Sequence, residues 1–117
     1  MVKVINIFRK IENLDSFEEH FFRDLLPAIL RSPGILGVKV TSVKPMSQEL
    51  SQDVEEIQLI IENYYESQEA IDKTVHSEVG QQLMEYASKL PGELSVFVGQ
   101  EKIFSPKLIQ NYYKNRG

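Results

Sequence analysis

The order of strand-like and helical runs, β-α-β-β-α-β within about a hundred residues, constrains this chain more than any other feature. Two helical runs cover only one face of a four-stranded sheet, so the pattern decides both the architecture and what is left open. The first strand is Val2–Arg9 (VKVINIFR), rich in β-branched residues and partly apolar on both faces. A polar connector follows, and Ser16 with Glu19 has capping-box spacing, which predicts a helix to about Arg31. Phe17, Phe21, Leu25, Ala28 and Ile29 share one face of it. Pro27 lacks the N–H that would bond one turn back, so a bend is predicted near Arg23, and Ser32-Pro33-Gly34 ends the helix.

Residues 35–44 (ILGVKVTSVK) form the second strand, with Leu36, Val38 and Val40 on one face and Gly37, Lys39, Thr41 and Val43 on the other. A polar loop over residues 45–53 leads to a third strand from about Val54 to Tyr65, expected to pair antiparallel with the second. Gln58, Ile60, Glu62 and Tyr64 share a face there, and Lys39 across the hairpin is the expected partner of Glu62. A short capped helix over residues 67–75 precedes a longer one over residues 77–90, whose Val79, Leu83, Tyr86, Ala87 and Leu90 form an apolar stripe. Pro91-Gly92 stops it, and residues 94–98 (LSVFV) are the fourth strand. The order predicts an α+β, ferredoxin-like domain with a four-stranded antiparallel sheet. Strands one, three and four carry apolar residues on both faces, and a second copy of the same sheet is the simplest cover for the face without helices. A homodimer is therefore expected.

At 117 residues there is room for one domain, here residues 1–101, followed by an extension over residues 102–117. The extension holds four basic side chains and no acidic one, with Phe104, Leu108, Ile109, Tyr112 and Tyr113 as its apolar residues. It is expected either to dock on the acidic body or to remain a surface extension. A net charge of −4 argues against nucleic acid as a partner. The absence of cysteine excludes disulfides and thiolate chemistry and fits a reducing cytoplasm. No apolar run approaches the ~20 residues of a membrane span. No phosphate loop, nucleophile elbow or metal-ligand spacing is present, so no cofactor and no metal is expected.

Few residues carry chemistry. His20 and Asp24 stand at i and i+4 on the first helix, where a carboxylate can orient an imidazole as a general base; an exposed surface pair has the same spacing. Asn6 interrupts an apolar strand and must find hydrogen-bond partners, from a ligand or from a loop. His76 precedes Ser77 at a helix start, where capping or surface exposure is expected rather than catalysis. Tyr64, Tyr65 and Tyr86 offer hydroxyls at the ends of apolar elements, suited to a ligand carbonyl or to a dimer rim.

The segment Phe17-Glu18-Glu19-His20-Phe21-Phe22, then Leu25-Leu26-Pro27 and Ser32-Pro33-Gly34-Ile35, resembles the EthD family of small dimeric α+β-barrel proteins. Residues 62–70 (ENYYESQEA) and 76–80 (HSEVG) are similar to later parts of that family, and the resemblance spans roughly residues 3–100. It implies a homodimer of sheets packed face to face, with a small pocket between sheet and helices in each protomer. It also implies a small hydrophobic ligand, aromatic or polyketide-like, with cofactor-independent acid/base chemistry of lyase, isomerase or monooxygenase type. The alternative is a non-catalytic binding or accessory protein. On the first reading His20 and Asp24 are the acid/base pair, Asn6 and Tyr64 hold the substrate's oxygen, and Phe8, Phe21 and Leu83 form the apolar wall. Many relatives have a histidine two residues before the helix-one proline, where this chain has Leu25. Haem-binding relatives place their iron-ligating histidine where this chain has Gln81, Gln82, Leu83 and Met84.

Overall fold

A computed structural model describes residues 1–47, 49, 56–90 and 92–107. Strands β1 (Val2–Arg9), β2 (Ile35–Ser42), β3 (Ile57–Tyr65) and β4 (Glu93–Gln100) form one sheet in the order β2-β3-β1-β4. All three pairings are antiparallel, giving the ferredoxin-like α+β fold expected from the sequence. Most of the polar loop before β3 and the end of the basic extension lie outside the described residues, as do Val54, Leu108, Ile109, Tyr112 and Tyr113.

The first helical run differs in detail from its prediction. It comprises α1 (Leu14–His20), a π-helical turn (Phe21–Leu25) and α2 (Leu26–Ile29). Asn13, not Ser16, is the N-cap: its Oδ1 accepts from the Ser16 backbone N–H at 3.0 Å. Both residue types cap well, and Asn13 wins because the helix starts three residues earlier than the Ser16–Glu19 spacing suggests. The predicted bend near Arg23 takes the form of the π turn, in which the Leu26 N–H bonds the Phe21 carbonyl five residues back. Pro27 has no N–H to restore the four-residue pattern immediately after it.

Helices α3 (Gln68–Val75) and α4 (Glu78–Ser88) are capped by Ser67 and Ser77, whose hydroxyls accept from Ala70 and Gly80 N–H. The Ser77 hydroxyl also donates to the Thr74 carbonyl, 2.7 Å away, so one side chain joins both helices. Gly80 is required at this junction, since a Cβ there would lie 1.8 Å from the Thr74 carbonyl oxygen.

Alternation assigns the two sheet faces. Phe8, Leu59, Ile61, Val38 and Val40 point toward the helices and meet Phe17, Phe21, Leu25 and Ile29 in the main core. Leu36, expected beside Val38, is instead the extra residue of a β-bulge between Ile35 and Gly37 and is 55% exposed. Gln58 falls opposite a register shift in β1, and its amide accepts from the Ile11 N–H and donates to the Ile11 carbonyl. The loop between strand and helix is thereby tied to the sheet.

Candidate functional site

A cavity of about 100 Å³ opens between the sheet and the helices, lined by Asn6, Phe8, Phe21, Asn63 and Leu83 among others. Each strand contributes by alternation: Asn6 and Phe8 are two apart on β1, and Asn63 is two beyond Ile61 on β3. The π turn directs Phe21 and Leu25 inward together, and α4 closes the cavity with Leu83, Ala87 and the following Leu90. Apart from the two asparagines every lining residue is apolar, and no described lining residue ionises.

The two asparagines differ in commitment. The Asn6 amide donates to the Ile61 carbonyl at 3.0 Å across the β1–β3 ladder. Asn63 is 9% exposed, and its Oδ1 is shielded without a partner among the described residues. A buried acceptor left unsatisfied costs about 1–3 kcal/mol, which a donor in the cavity would recover. Asn63 was not singled out in the sequence: Asn6 stands between Ile5 and Ile7, whereas Asn63 stands between Glu62 and Tyr64 and does not interrupt an apolar run.

His20 and Asp24 meet but not in this cavity. His20 Nδ1 lies 3.2 Å from Asp24 Oδ2, with the two side chains 49% and 38% exposed. Arg23 completes the cluster, with Nη2 2.9 Å from His20 Nδ1 and two 3.3 Å bonds to the Asp24 carboxylate. A guanidinium donating to Nδ1 leaves the histidine proton on Nε2; protonated at Nδ1, the ring bonds Asp24 instead. The bond to Asp24 also holds the Arg23 guanidinium above its ordinary pKa. The His20 ring packs on Tyr86 with centroids 5.6 Å apart.

Tyr64 lies on the other face of the sheet. Its hydroxyl donates to Glu101 at 3.3 Å, and the ammonium groups of Lys39 and Lys3 stand 4.9 and 5.4 Å from its ring centre. Glu62 pairs there with Lys3 from β1 rather than with Lys39, although Lys39 is its register partner. The Tyr64 ring draws the Lys39 ammonium aside, leaving Glu62 to Lys3. Tyr65 packs against Val2, Val4 and Ile35 in a second small core. His76 caps α3, with its Nδ1 2.8 Å from the Asp72 carbonyl oxygen.

Set against solved structures, the chain is similar to an EthD family protein of Bacillus halodurans C-125, at 26% identity and a TM-score of 0.74, covering 87% of this chain and 99% of that one. The chain is EthD-like. SnoaB, a cofactor-independent oxygenase from Streptomyces nogalater, shares the fold at 14% identity and a TM-score of 0.64, covering 90% and 96% of the two chains. An antibiotic biosynthesis monooxygenase does so at 13% identity and a TM-score of 0.58, covering 88% and 100%. No family model matches the chain, and no curated protein does. Among the described residues, no three His, Asp or Glu side chains gather as metal ligands, and no helix is long and apolar enough to cross a membrane.

Proposed function

We propose that this EthD-like chain is a cytoplasmic homodimer that binds a small hydrophobic compound, aromatic or polyketide-like, in the cavity between sheet and helices. The observation that carries the reading is the shielded, unpartnered Asn63 Oδ1 in an otherwise apolar cavity. Apolar walls bind the body of such a ligand, and one fixed acceptor selects a hydroxyl or N–H on it. The dimer is supported by the sheet face without helices, where Ile5, Ile7, Ile60 and Phe97 stand together, Phe97 being 55% exposed.

Two chemistries fit this cavity. In one, His20 oriented by Asp24 moves a proton on a substrate that reaches beyond the cavity, in a cofactor-independent lyase, isomerase or monooxygenase-type step. In the other the protein binds without catalysis, which is favoured by the absence of any ionising group among the described lining residues. Native mass spectrometry of the gently purified protein tests binding and assembly together. The expected result is a dimer mass carrying a small adduct that Asn63→Leu abolishes without changing the assembly. A monomer overturns the dimer, and an adduct retained in full by Asn63→Leu overturns the cavity as its site. Once a ligand is identified, His20→Ala separates the two chemistries: turnover lost with binding kept selects the first.

A further inference from the structure

The apolar cavity has a polar neighbour. Leu25 and Leu83 line both it and a second cavity of about 190 Å³, whose other walls are Asp24, Ala28, Arg31, Gln82 and Tyr86. Two leucine side chains are thus the shared partition, and the outer cavity lies between the π turn with α2 on one side and α4 on the other.

The outer cavity is rich in uncommitted donors. The Tyr86 hydroxyl is shielded and has no partner among the described residues. Burial, reinforced by Asp24, pushes the phenol above its ordinary pKa, so it stays protonated and able to donate. Arg31 makes no ion pair with any described residue, whereas the Asp24 carboxylate is already bonded twice by Arg23. An unpaired guanidinium after α2, facing an amide and a phenol on α4 across one cavity, suits an anionic oxygen, because charge-assisted bonds to a carboxylate are the strongest these groups make. At the inner end the requirement is reversed, since Asn63 Oδ1 is an acceptor.

We propose that the ligand is a small amphipathic acid: its apolar body fills the inner cavity past Leu25 and Leu83, and its carboxylate, or a comparable anionic oxygen, is held in the outer cavity by Arg31, Gln82 and Tyr86. This rests on the binding reading above and adds the charge of the ligand, the direction in which it lies and the residues that select it. Arg31 and Tyr86 are then specificity residues, whereas Asp24, which lines the same cavity, is held by Arg23 and His20.

The test compares two probes with one apolar body, 3-phenylpropionate and 3-phenylpropan-1-ol, titrated into the full-length protein and followed by amide NMR shifts. The acid is expected to bind about tenfold tighter than the alcohol, as a charge-assisted contact implies. Arg31→Gln should erase most of that preference, weakening the acid far more than the alcohol, with Tyr86→Phe reducing it less. Both substitutions keep the backbone and the side-chain bulk, and an unchanged melting temperature verifies the fold. Leu83→Trp, which fills the partition, should abolish binding of both probes. Equal binding of acid and alcohol, both lost in Leu83→Trp, overturns the acid-selecting outer cavity while sparing the inner one. A preference for the acid that survives Arg31→Gln and Tyr86→Phe overturns the assignment of these residues. Binding of neither probe, or binding indifferent to Leu83→Trp, overturns the inner cavity and this inference with it.

Discussion

The two faces of the sheet are built from the same strands by simple alternation, yet they are finished to different degrees. On the helix-covered face Leu59 and Ile61 are 0% and 1% exposed and Phe8 packs on Phe17 with ring centres 5.0 Å apart. On the opposite face Ile7, Ile60 and Phe97 lie beside a polar cluster made by Lys3, Glu62, Lys39, Tyr64 and Glu101. A charged cluster beside apolar residues is a poor core and a good interface, because its ionic groups set partner register while the apolar ones supply area. The covered face holds the main core of the protomer, and the uncovered one is the face proposed above to meet a second copy.

Three substitutions sharpen or break that contrast. Leu59→Ala, on the covered face, should lower unfolding free energy by about 2–5 kcal/mol in urea titrations, as buried leucine truncations do. Its sequence neighbour Ile60→Ala should cost less at any one concentration and change how the midpoint varies with protein concentration, since the area it removes lies on the face proposed to meet a second copy. Midpoints independent of concentration in both wild type and Ile60→Ala would remove the second copy from the account. Gly80→Ala attacks the covered side from behind, by forcing a methyl into the Thr74 carbonyl, and about 1–3 kcal/mol of destabilisation is expected from such overpacking.

The smallest effect is pH-dependent and belongs to the uncovered face. The bond to Glu62 raises the Lys3 pKa above its ordinary 10.5, against a smaller opposing effect of burial. A raised ammonium pKa stabilises the fold fully below the ordinary value and loses that contribution as pH climbs through the raised one. Melting temperature should therefore fall more steeply above pH 10.5 in wild type than in Glu62→Gln. Other groups titrate in the same range, so the difference between the two proteins carries the result. Parallel curves would show that the pair adds nothing to stability.

Much of this architecture was legible in the sequence because alternation and capping are local. Ser67 and Ser77 start their helices as read, and the strand order follows from the sequence of periods. What escaped was the choice between local alternatives of similar energy. Asn13 and Ser16 compete for one cap, and Leu36 keeps perfect alternation on paper but is expelled as a bulge. In the site, Asn6, Phe8, Phe21 and Leu83 come together because each lies on an apolar face that the helices cover. Tyr64 does not join them: it differs by one residue, and hence by one face, from Asn63. The hydrogen-bonding deficit of Asn63 and Tyr86 depends on three elements at once and has no sequence signature.

The π turn carries a consequence for how such a protein tolerates change in length. A five-residue hydrogen-bonded step holds one residue more than an α-helical one, so deleting a residue within Phe21–Leu25 regenerates an ordinary helix and keeps Phe17 and Ile29 on their inward faces. The same deletion at Asp15 would turn the cap away from the rest of the helix by about 100°, one residue's share of a 3.6-residue turn. Phe21, Asp24 and Leu25, which line the two cavities, all belong to this spare loop of helix. Ligand preference in proteins of this shape is therefore open to revision by a single-codon insertion or deletion, with the scaffold on either side left in register.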